Sequence, residues 1–240
     1  MTTITLHPTS LDPVLLSDTR IARIPVVERD EDLVRVMPSG CLAVAEATPT
    51  PPAHGVARPT TPVHDLLRPD VARRLAMAAA ALPDHVRLHL VEGYRPPDVQ
   101  AALYEAHRRR LLQDLPGIDS AESHRLASRF VAPPSVAAHP SGAAVDVTLV
   151  DAAGRPLDMG TAVDATPEDS DGACYLDAPG ISTHARANRQ LLAASLRTAG
   201  FVNYPTEWWH WSHGDRYWAF VTRAPAALYG GVPPSGACDR

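Results

Sequence analysis

The chain has 240 residues and a mass of 25.7 kDa, enough for one large domain or two small ones with a sizeable core. Hydrophobic residues make up 45% and charged residues 20%, ordinary globular values that exclude a wholly disordered chain. The net charge of −5 argues against a nucleic-acid-binding protein, which normally presents a basic face. Because the longest apolar runs are far shorter than the roughly 20 residues of a membrane span, we expect neither nucleic acid nor membrane as a partner.

The cysteines and the N-terminus indicate where the chain functions. Cys41, Cys174 and Cys238 are far apart and include no CxxC pair, which suits neither a disulfide framework nor a thiolate zinc site. The first residues lack a basic start followed by an apolar stretch, so the sequence predicts no secretory signal. We therefore expect a cytoplasmic protein.

The chain divides by pattern into a loose first part and a regular remainder. Residues 1–65 are predicted to be an irregular segment that packs on the core, with short strands at 23–27 and 33–36. The Pro/Thr/Ala-rich stretch 47–62 is predicted to be a loop or an extended flap. Residues 66–240 are predicted to form the main domain.

Helical and strand patterns are interspersed through that domain. The spacing of apolar residues predicts helices over 70–82, 98–112, 122–130 and 187–198. Alternating or β-branched residues predict strands over 85–91 and 143–150, and short strands over 201–204, 207–212 and 217–222. This mixture predicts a single α+β domain, a small antiparallel sheet with flanking helices.

Among the eleven histidines, only some lie where a metal could be held. No HExxH helix is present, and His85 and His89 lie four apart on a predicted strand with no acidic residue between them, an unfavourable pair for a metal. His139 ends a loop, whereas Asp146 lies inside a predicted strand between two valines. A carboxylate there is costly to bury unless it is paired or binds a cation, although a solvent-facing aspartate is an alternative.

The segment EWWHW, residues 207–211, places three of the four tryptophans around one acid and one imidazole. It could be an aromatic core cluster with its polar residues facing outward. Apolar walls of this kind would also raise the pKa of Glu207 and suit it to proton transfer. Two imidazoles and one carboxylate form a set that zinc accepts while a fourth position stays open for water. The candidate ligands are His139, Asp146 and His210.

These motifs resemble those of the D-alanyl-D-alanine dipeptidases of the vancomycin-resistance type, a zinc DD-peptidase family. HPSGAAVD, residues 139–146, matches the family's HxxGxAxD motif, and EWWHW matches its ExxH motif. EGYRP, which contains Arg95, resembles the family's GYRP turn, and DMGTAVD, residues 158–164, resembles its DMGTxFD stretch. The four motifs occur in family order within about residues 70–222, and the resemblance implies the zinc DD-peptidase (hedgehog/DD-peptidase-like) fold.

The resemblance also implies a chemistry. One zinc ion per chain would be held by His139, Asp146 and His210. Glu207 would act as general base and then acid, Arg95 would stabilise the tetrahedral intermediate, and Asp164 would receive the free amino group of the substrate. The expected reaction is zinc-dependent hydrolysis of a free dipeptide, D-alanyl-D-alanine, to two D-alanine molecules by a monomer or homodimer, with residues 66–240 as the zinc dipeptidase domain.

Some positions depart from the family pattern. Ala137 stands where these dipeptidases have a serine that helps to bind the substrate carboxylate, Val163 replaces a phenylalanine, and no KYAT-type segment is recognisable within residues 20–65. One alternative is therefore the same zinc chemistry on another small peptide, either murein-derived or an intermediate of specialised metabolism. Others are a non-catalytic peptide-binding homologue and a structural protein without metal.

Overall fold

The computed structural model describes residues 13–46 and 63–232, so the predicted loop at 47–62 and Cys238 lie outside the described residues. In the described chain the helices are α1 Thr19–Ala22, α2 Pro69–Ala80, α3 Pro97–Asp114, α4 Ser120–Ala127, α5 Thr183–Thr198 and α6 Arg216–Thr222. The strands are β1 Val34–Arg35, β2 Leu42–Val44, β3 Leu66–Leu67, β4 Val86–Glu92, β5 Ala144–Asp151, β6 Val202–Asn203 and β7 His210–Ser212, and a 3-10 helix covers His139–Ser141.

The main sheet has the strand order β2-β4-β5-β7-β6. Its neighbours pair antiparallel except β2 and β4, which run parallel, and β1 pairs with β3 in a separate two-stranded ribbon. A parallel pair needs a crossover, and β3 and α2 occupy the chain between β2 and β4. The predicted α+β class is confirmed, with one parallel pair at the edge of the sheet.

The main core lies between one face of the sheet and helices α2 and α5. Strand β4 alternates buried and half-buried residues, as a period of two requires when one face is covered more than the other. Helices and sheet contribute side chains with at most 1% exposure, among them Val71, Leu75, Leu88, Leu90, Val147, Leu149, Leu192 and Leu196. A smaller cluster between α3 and α4 includes Leu103 and Val131.

Strand β4 contains an irregularity at its C-terminal end. Leu90 lies opposite Val147 of β5, but Glu92 lies opposite Asp146, so two steps along β4 match one step along β5. Residues that face each other across a ladder point to the same side of the sheet, and one extra residue reverses the side. The bulge therefore moves Glu92 from the side of Leu90 to the side of Asp146.

The predicted strand over 217–222 is wrong, because this segment forms helix α6. The carboxylate of Asp215 accepts hydrogen bonds from the backbone N–H groups of Tyr217 and Trp218, at 3.1 and 3.0 Å, and so caps the helix. The predicted strand over 23–27 is also wrong, since Val26 forms only an isolated bridge with Ala227 and helix α1 precedes it. Within the two described ranges, no helix combines the length and the apolar character needed to cross a membrane.

Candidate active site

Three ligand-type side chains come together where β5 and β7 meet the 3-10 helix. Asp146 of β5 lies directly opposite His210 of β7 in the antiparallel register. His139 begins the 3-10 helix that leads into β5, and Gly142 ends that helix with a φ of +67°. This left-handed conformation suits glycine, and a Cβ at this position would lie only 2.4 Å from Leu33 Cδ2. The turn therefore brings the side chain of His139 beside β5, the strand that contains Asp146.

The three donor atoms face one point. His139 Nε2 lies 3.2 Å from His210 Nδ1 and 3.3 Å from Asp146 Oδ2, and His210 Nδ1 lies 3.0 Å from Asp146 Oδ1. Zinc with ligands at about 2.0–2.1 Å in tetrahedral geometry holds its donor atoms about 3.3 Å apart. The spacing in this site therefore fits a small tetrahedral cation.

The orientation of His139 is fixed by the backbone. Its Nδ1 atom lies 2.6 Å from the carbonyl oxygen of Gly93, and a carbonyl can only accept a hydrogen bond. Nδ1 therefore carries a proton, and Nε2 is the ring nitrogen that faces Asp146 and His210. Metal-binding histidines commonly donate their second ring N–H group in this way, so the tautomer suits a ligand.

The charges in the pocket also favour a cation. The side chains of Glu92, Asp146 and Glu207 are each at most 9% exposed, and Arg95 is a cationic side chain that lies among them. Burial disfavours ionisation of Asp146, but its contacts with both imidazoles outweigh burial and hold its pKa well below the usual range. An ionised Asp146 between two imidazoles completes the donor set of a divalent metal.

Glu207 lies beside this donor set. Its Oε2 atom is 3.9 Å from His210 Nδ1 and its side chain is buried. Burial and the negative charges of Asp146 and Asp164 raise the pKa of Glu207 well above its ordinary value. The side chain of Asn203 holds the turn by donating to the carbonyl oxygens of Glu207 and His210, both at 2.9 Å.

Arg95 is held by two side chains that sequence reasoning missed. Its Nε donates to Glu92 Oε1 at 3.0 Å and its Nη2 to Glu92 Oε2, while its Nη1 donates to Gln100 Oε1 at 2.8 Å. Gln100 in turn donates to the carbonyl oxygen of Ala132 at 2.8 Å. Burial opposes the charge of Arg95, but Glu92 and the other nearby carboxylates keep its pKa above the ordinary value. Glu92 is part of the EGYRP motif, but the bulge in β4 determines the side of the sheet to which its carboxylate points.

Asp164 lies at the exposed side of the same pocket. Its backbone is in the left-handed region, with a φ of +63°, which aspartate tolerates better than most residues. Its negative charge acts on both Arg95 and Glu207. The structure therefore places the last acid of the DMGTAVD stretch within reach of the other candidate residues.

One pocket, with about 630 Å³ of empty space that includes its open mouth, contains all six predicted site residues, whereas His85, His89 and Ala137 do not line it. Its walls are largely apolar and include Leu16 from the N-terminal segment and Tyr204, neither of which the sequence indicated. The lining residues are Leu16, Arg95, Gln100, Leu103, Phe130, Val131, Ala132, Ala138, His139, Asp146, Asp164, Tyr204, Glu207, Trp209 and His210.

The tryptophans of EWWHW have different surroundings. Trp208, Trp209 and Trp211 are all at most 1% exposed, but only Trp209 lines the pocket within the described chain. Trp208 and Trp211 pack in the main core. Both interpretations of the segment therefore hold in part, since it is an aromatic core cluster that also walls Glu207 and His210.

Comparison with known proteins identifies relatives of this chain. The chain is 38% identical to a D-alanyl-D-alanine dipeptidase of Synechocystis over 89 residues, which are 34% of this chain and 36% of the relative. It is 31% identical to the D-alanyl-D-alanine dipeptidase of Escherichia coli over 125 residues, 52% of this chain and 54% of the relative. The matched part thus spans about half the length of these relatives, or less.

A solved structure gives a more distant likeness. The vancomycin resistance D,D-pentapeptidase VanY, solved in complex with Zn(II), is 17% identical with a TM-score of 0.40, and the match covers 79% of this chain and 96% of that chain. The model of the D-ala-D-ala dipeptidase family matches residues 62–225, a stretch that contains all four motifs. The resemblance drawn from those motifs is confirmed, and the chain belongs to the D-ala-D-ala dipeptidase family of peptidases.

Proposed function

We propose that this protein is a zinc dipeptidase that hydrolyses free D-alanyl-D-alanine to two D-alanine molecules. The observation that carries the proposal is the convergence of His139 Nε2, Asp146 and His210 Nδ1, with donor atoms 3.0–3.3 Å apart, beside a buried Glu207. Two nitrogen donors and one oxygen donor form a catalytic type of zinc site, because three protein ligands leave a position for water or substrate. When bound there, zinc would polarise the substrate carbonyl and make water more acidic.

Glu207 is the proposed general base and acid. A carboxylate whose pKa lies well above its ordinary value can take a proton from the attacking water and then release it to the leaving amine. A carboxylate with an unperturbed pKa would be a poor proton donor at neutral pH. The apolar wall formed by Trp209 keeps this exchange away from bulk water.

Arg95 is the proposed partner of the developing oxyanion. Its guanidinium stays protonated, and bonds to Glu92 and Gln100 fix the plane in which its remaining N–H groups point. A preorganised donor needs no reorganisation when charge develops, which is why such contacts stabilise transition states.

Asp164 is the proposed partner of the substrate's ammonium group. It lies at the open side of the pocket, and a carboxylate there favours a peptide with a free N-terminus. The apolar side chains of Leu16, Leu103 and Val131 suit small methyl side chains on the substrate. Together these groups favour a short free peptide.

Other aspects of the proposal follow from the sequence. We keep residues 66–240 as the catalytic domain, with residues 1–65 packing on it, and the contribution of Leu16 to the pocket wall supports this packing. A cytoplasmic monomer or homodimer stays our prediction. The same chemistry on another small peptide is the alternative that Ala137 favours, whereas the presence of both Glu207 and Arg95 argues against a non-catalytic binding protein.

A panel of dipeptides, assayed with and without a chelator, tests the proposal. We expect D-alanyl-D-alanine to be hydrolysed, the chelator to abolish turnover, and zinc to restore it at one ion per chain. A tenfold preference for a peptide that lacks D-alanine would show that D-alanyl-D-alanine is not the preferred substrate. Turnover that survives complete removal of metal would overturn the zinc mechanism.

A further inference from the structure

The segment that carries Asp164 is tied to the turn that carries Glu207 by one hydrogen bond. The indole Nε1 of Trp208, which directly follows Glu207, donates to Thr161 Oγ1 at 2.8 Å. Trp208 is only 1% exposed, so its N–H group depends on this partner rather than on water. The contact lies three residues from Asp164 on one side and one residue from Glu207 on the other.

Arg189 of helix α5 braces this contact from the core side. It is 1% exposed, and its guanidinium donates to the carbonyl oxygens of Met159, Tyr175 and Ala173 at 2.7, 2.6 and 2.8 Å. Its central carbon lies 5.5 Å from the centre of the Trp208 ring, a distance at which a cation and an aromatic face attract. One buried side chain thus touches both the segment before Asp164 and the residue after Glu207.

The start of the Asp164 segment is fixed independently. The side chain of Asn188 donates to the carbonyl oxygen of Asp158 at 2.8 Å, and Ser182 donates to the Asp158 carboxylate at 3.0 Å. Gly160, with a φ of +85°, lies so close to Ile181 that a Cβ would be 3.0 Å from its Cγ2 atom. The segment is therefore anchored from Asp158 to Thr161, and beyond it Val163 packs against the main core.

We propose that Thr161, Trp208 and Arg189 are positioning residues that set the separation between Asp164 and Glu207 and so fix the accepted distance between the ammonium group of the substrate and the bond that is cleaved. This inference rests on the proposed function: Asp164 would hold the free ammonium group, and Glu207 would act at the scissile bond. A fixed separation favours substrates in which one α-amino acid lies between these two points. A β-amino acid at the N-terminus adds one methylene group to that distance, so β-alanyl-D-alanine should be a poorer substrate than D-alanyl-D-alanine.

Thr161→Val tests the inference, because it preserves the shape of the side chain and removes the hydroxyl acceptor. We expect KM for D-alanyl-D-alanine to rise by up to roughly tenfold, the upper bound reached if the whole free energy of one lost buried hydrogen bond were taken from substrate binding, with a smaller change in kcat. The preference for D-alanyl-D-alanine over β-alanyl-D-alanine, measured as the ratio of kcat/KM values, should fall by a similar factor. Thr161→Ser keeps the acceptor and should retain the wild-type ratio.

Thr198→Val is the matched control, since Thr198 lies on an exposed turn of α5, where its hydroxyl donates to the carbonyl oxygen of Ala194. A loss of stability alone would lower the active fraction without changing a ratio between two substrates. An unchanged ratio in Thr161→Val would therefore overturn the inference while the dipeptidase activity itself stands.

Hydrogen exchange gives a readout that does not depend on turnover. In Thr161→Val, the backbone amides of residues 161–165 should exchange faster, whereas those of residues 187–198 in α5 should be unchanged. If the wild type hydrolyses no dipeptide, the proposed function and the role of these residues in substrate choice both fail. Exchange in residues 161–165 that equals the wild-type rate would overturn the positioning role by itself.

Discussion

The carbonyl oxygen of Gly93 lies 2.6 Å from Nδ1 of His139 and thereby fixes which nitrogen of that ring faces the candidate metal site. Gly93 can hold this position because it has no side chain. A Cβ there would lie 2.8 Å from the backbone oxygen of Leu66 and 2.9 Å from that of His64, and neither backbone atom can move aside cheaply. The ligand orientation therefore depends on a close approach between two backbone segments.

Gly93→Ala should consequently weaken zinc binding without touching a ligand. The added methyl group must push the 93–94 turn away from β3, which displaces the carbonyl that accepts from His139. Loss of such an orienting partner typically costs about 10–100-fold in metal affinity. Competition with a chromophoric chelator would measure the zinc affinity of each variant. Gly40→Ala is the control, because a Cβ at Gly40 meets nothing within 4 Å, and equal affinities in both variants would contradict this account.

Removal of one proposed ligand should abolish stoichiometric zinc binding. His139→Ala leaves only two donor side chains, so we expect well under one zinc per chain by elemental analysis of protein purified without a histidine tag. For the wild type, free zinc at a hundredfold excess over Kd should raise the free energy of unfolding by about 2.7 kcal/mol, and the variant should show no such gain. His89→Ala, on β4 outside the pocket, should bind zinc like the wild type.

Arg95→Lys should impair turnover although it keeps the positive charge. A lysine ammonium cannot reproduce the planar arrangement of donors that bonds to Glu92 and Gln100 while it presents further N–H groups to the substrate. We expect kcat to fall about 10²–10³-fold, the effect of losing one oxyanion donor. Arg155→Lys, at an exposed site beside Asp151, is the matched control. Steady-state kinetics with zinc-loaded protein would measure this change in kcat. A kcat within twofold of the wild-type value would show that Arg95 does not stabilise the oxyanion.

The buried charge of Glu207 should make the metal-free protein less stable as the pH rises. Its pKa is raised in the folded state by burial and by Asp146 and Asp164, so the folded protein binds more protons than the unfolded chain above about pH 4.5. The free energy of unfolding therefore falls as the pH rises from that point through the raised pKa. Urea unfolding of chelator-treated protein from about pH 5 to about pH 8 would measure this slope.

Glu207→Gln should reduce that slope, to which the raised pKa of His139 also contributes, and should stabilise the metal-free protein at neutral pH, because the amide carries no charge to bury. The same variant should lose about 10²–10⁴-fold in kcat, since it can no longer move a proton. Glu105→Gln, on the exposed side of α3, offers the same chemical change without burial. A Glu207→Gln protein that is less stable than wild type at neutral pH would contradict the electrostatic account.

Several parts of the site could be predicted from the sequence because their signals are local. An aspartate between β-branched residues in a strand, as at Asp146, is costly to bury unless it is paired or binds a cation. The turn at Gly142 allows His139 to approach this aspartate. Tryptophans around Glu207 and His210 likewise indicated a dry environment. The four motifs, taken in order, also resemble those of one family.

Other parts depend on contacts that no local pattern contains. Glu92 and Gln100 hold Arg95 only because a bulge and the start of α3 place them on the same side. Leu16 reaches the pocket wall through a segment that shows no regular periodicity. The sequence predicts a strand where helix α6 forms, because a short alternating pattern fits both structures and the cap at Asp215 decides the conformation.

The extra residue in β4 allows one strand to supply both the hydrophobic interior and the pocket. In an even ladder, residues two apart share a side, so Glu92 would point to the side of Leu88 and Leu90, away from Asp146. Because the bulge reverses the side after Leu90, Leu88 and Leu90 pack in the interior while the carboxylate of Glu92 reaches Arg95. The alignment of Arg95 therefore depends on a local break in the strand pairing, and an unbroken strand of the same composition would not provide it.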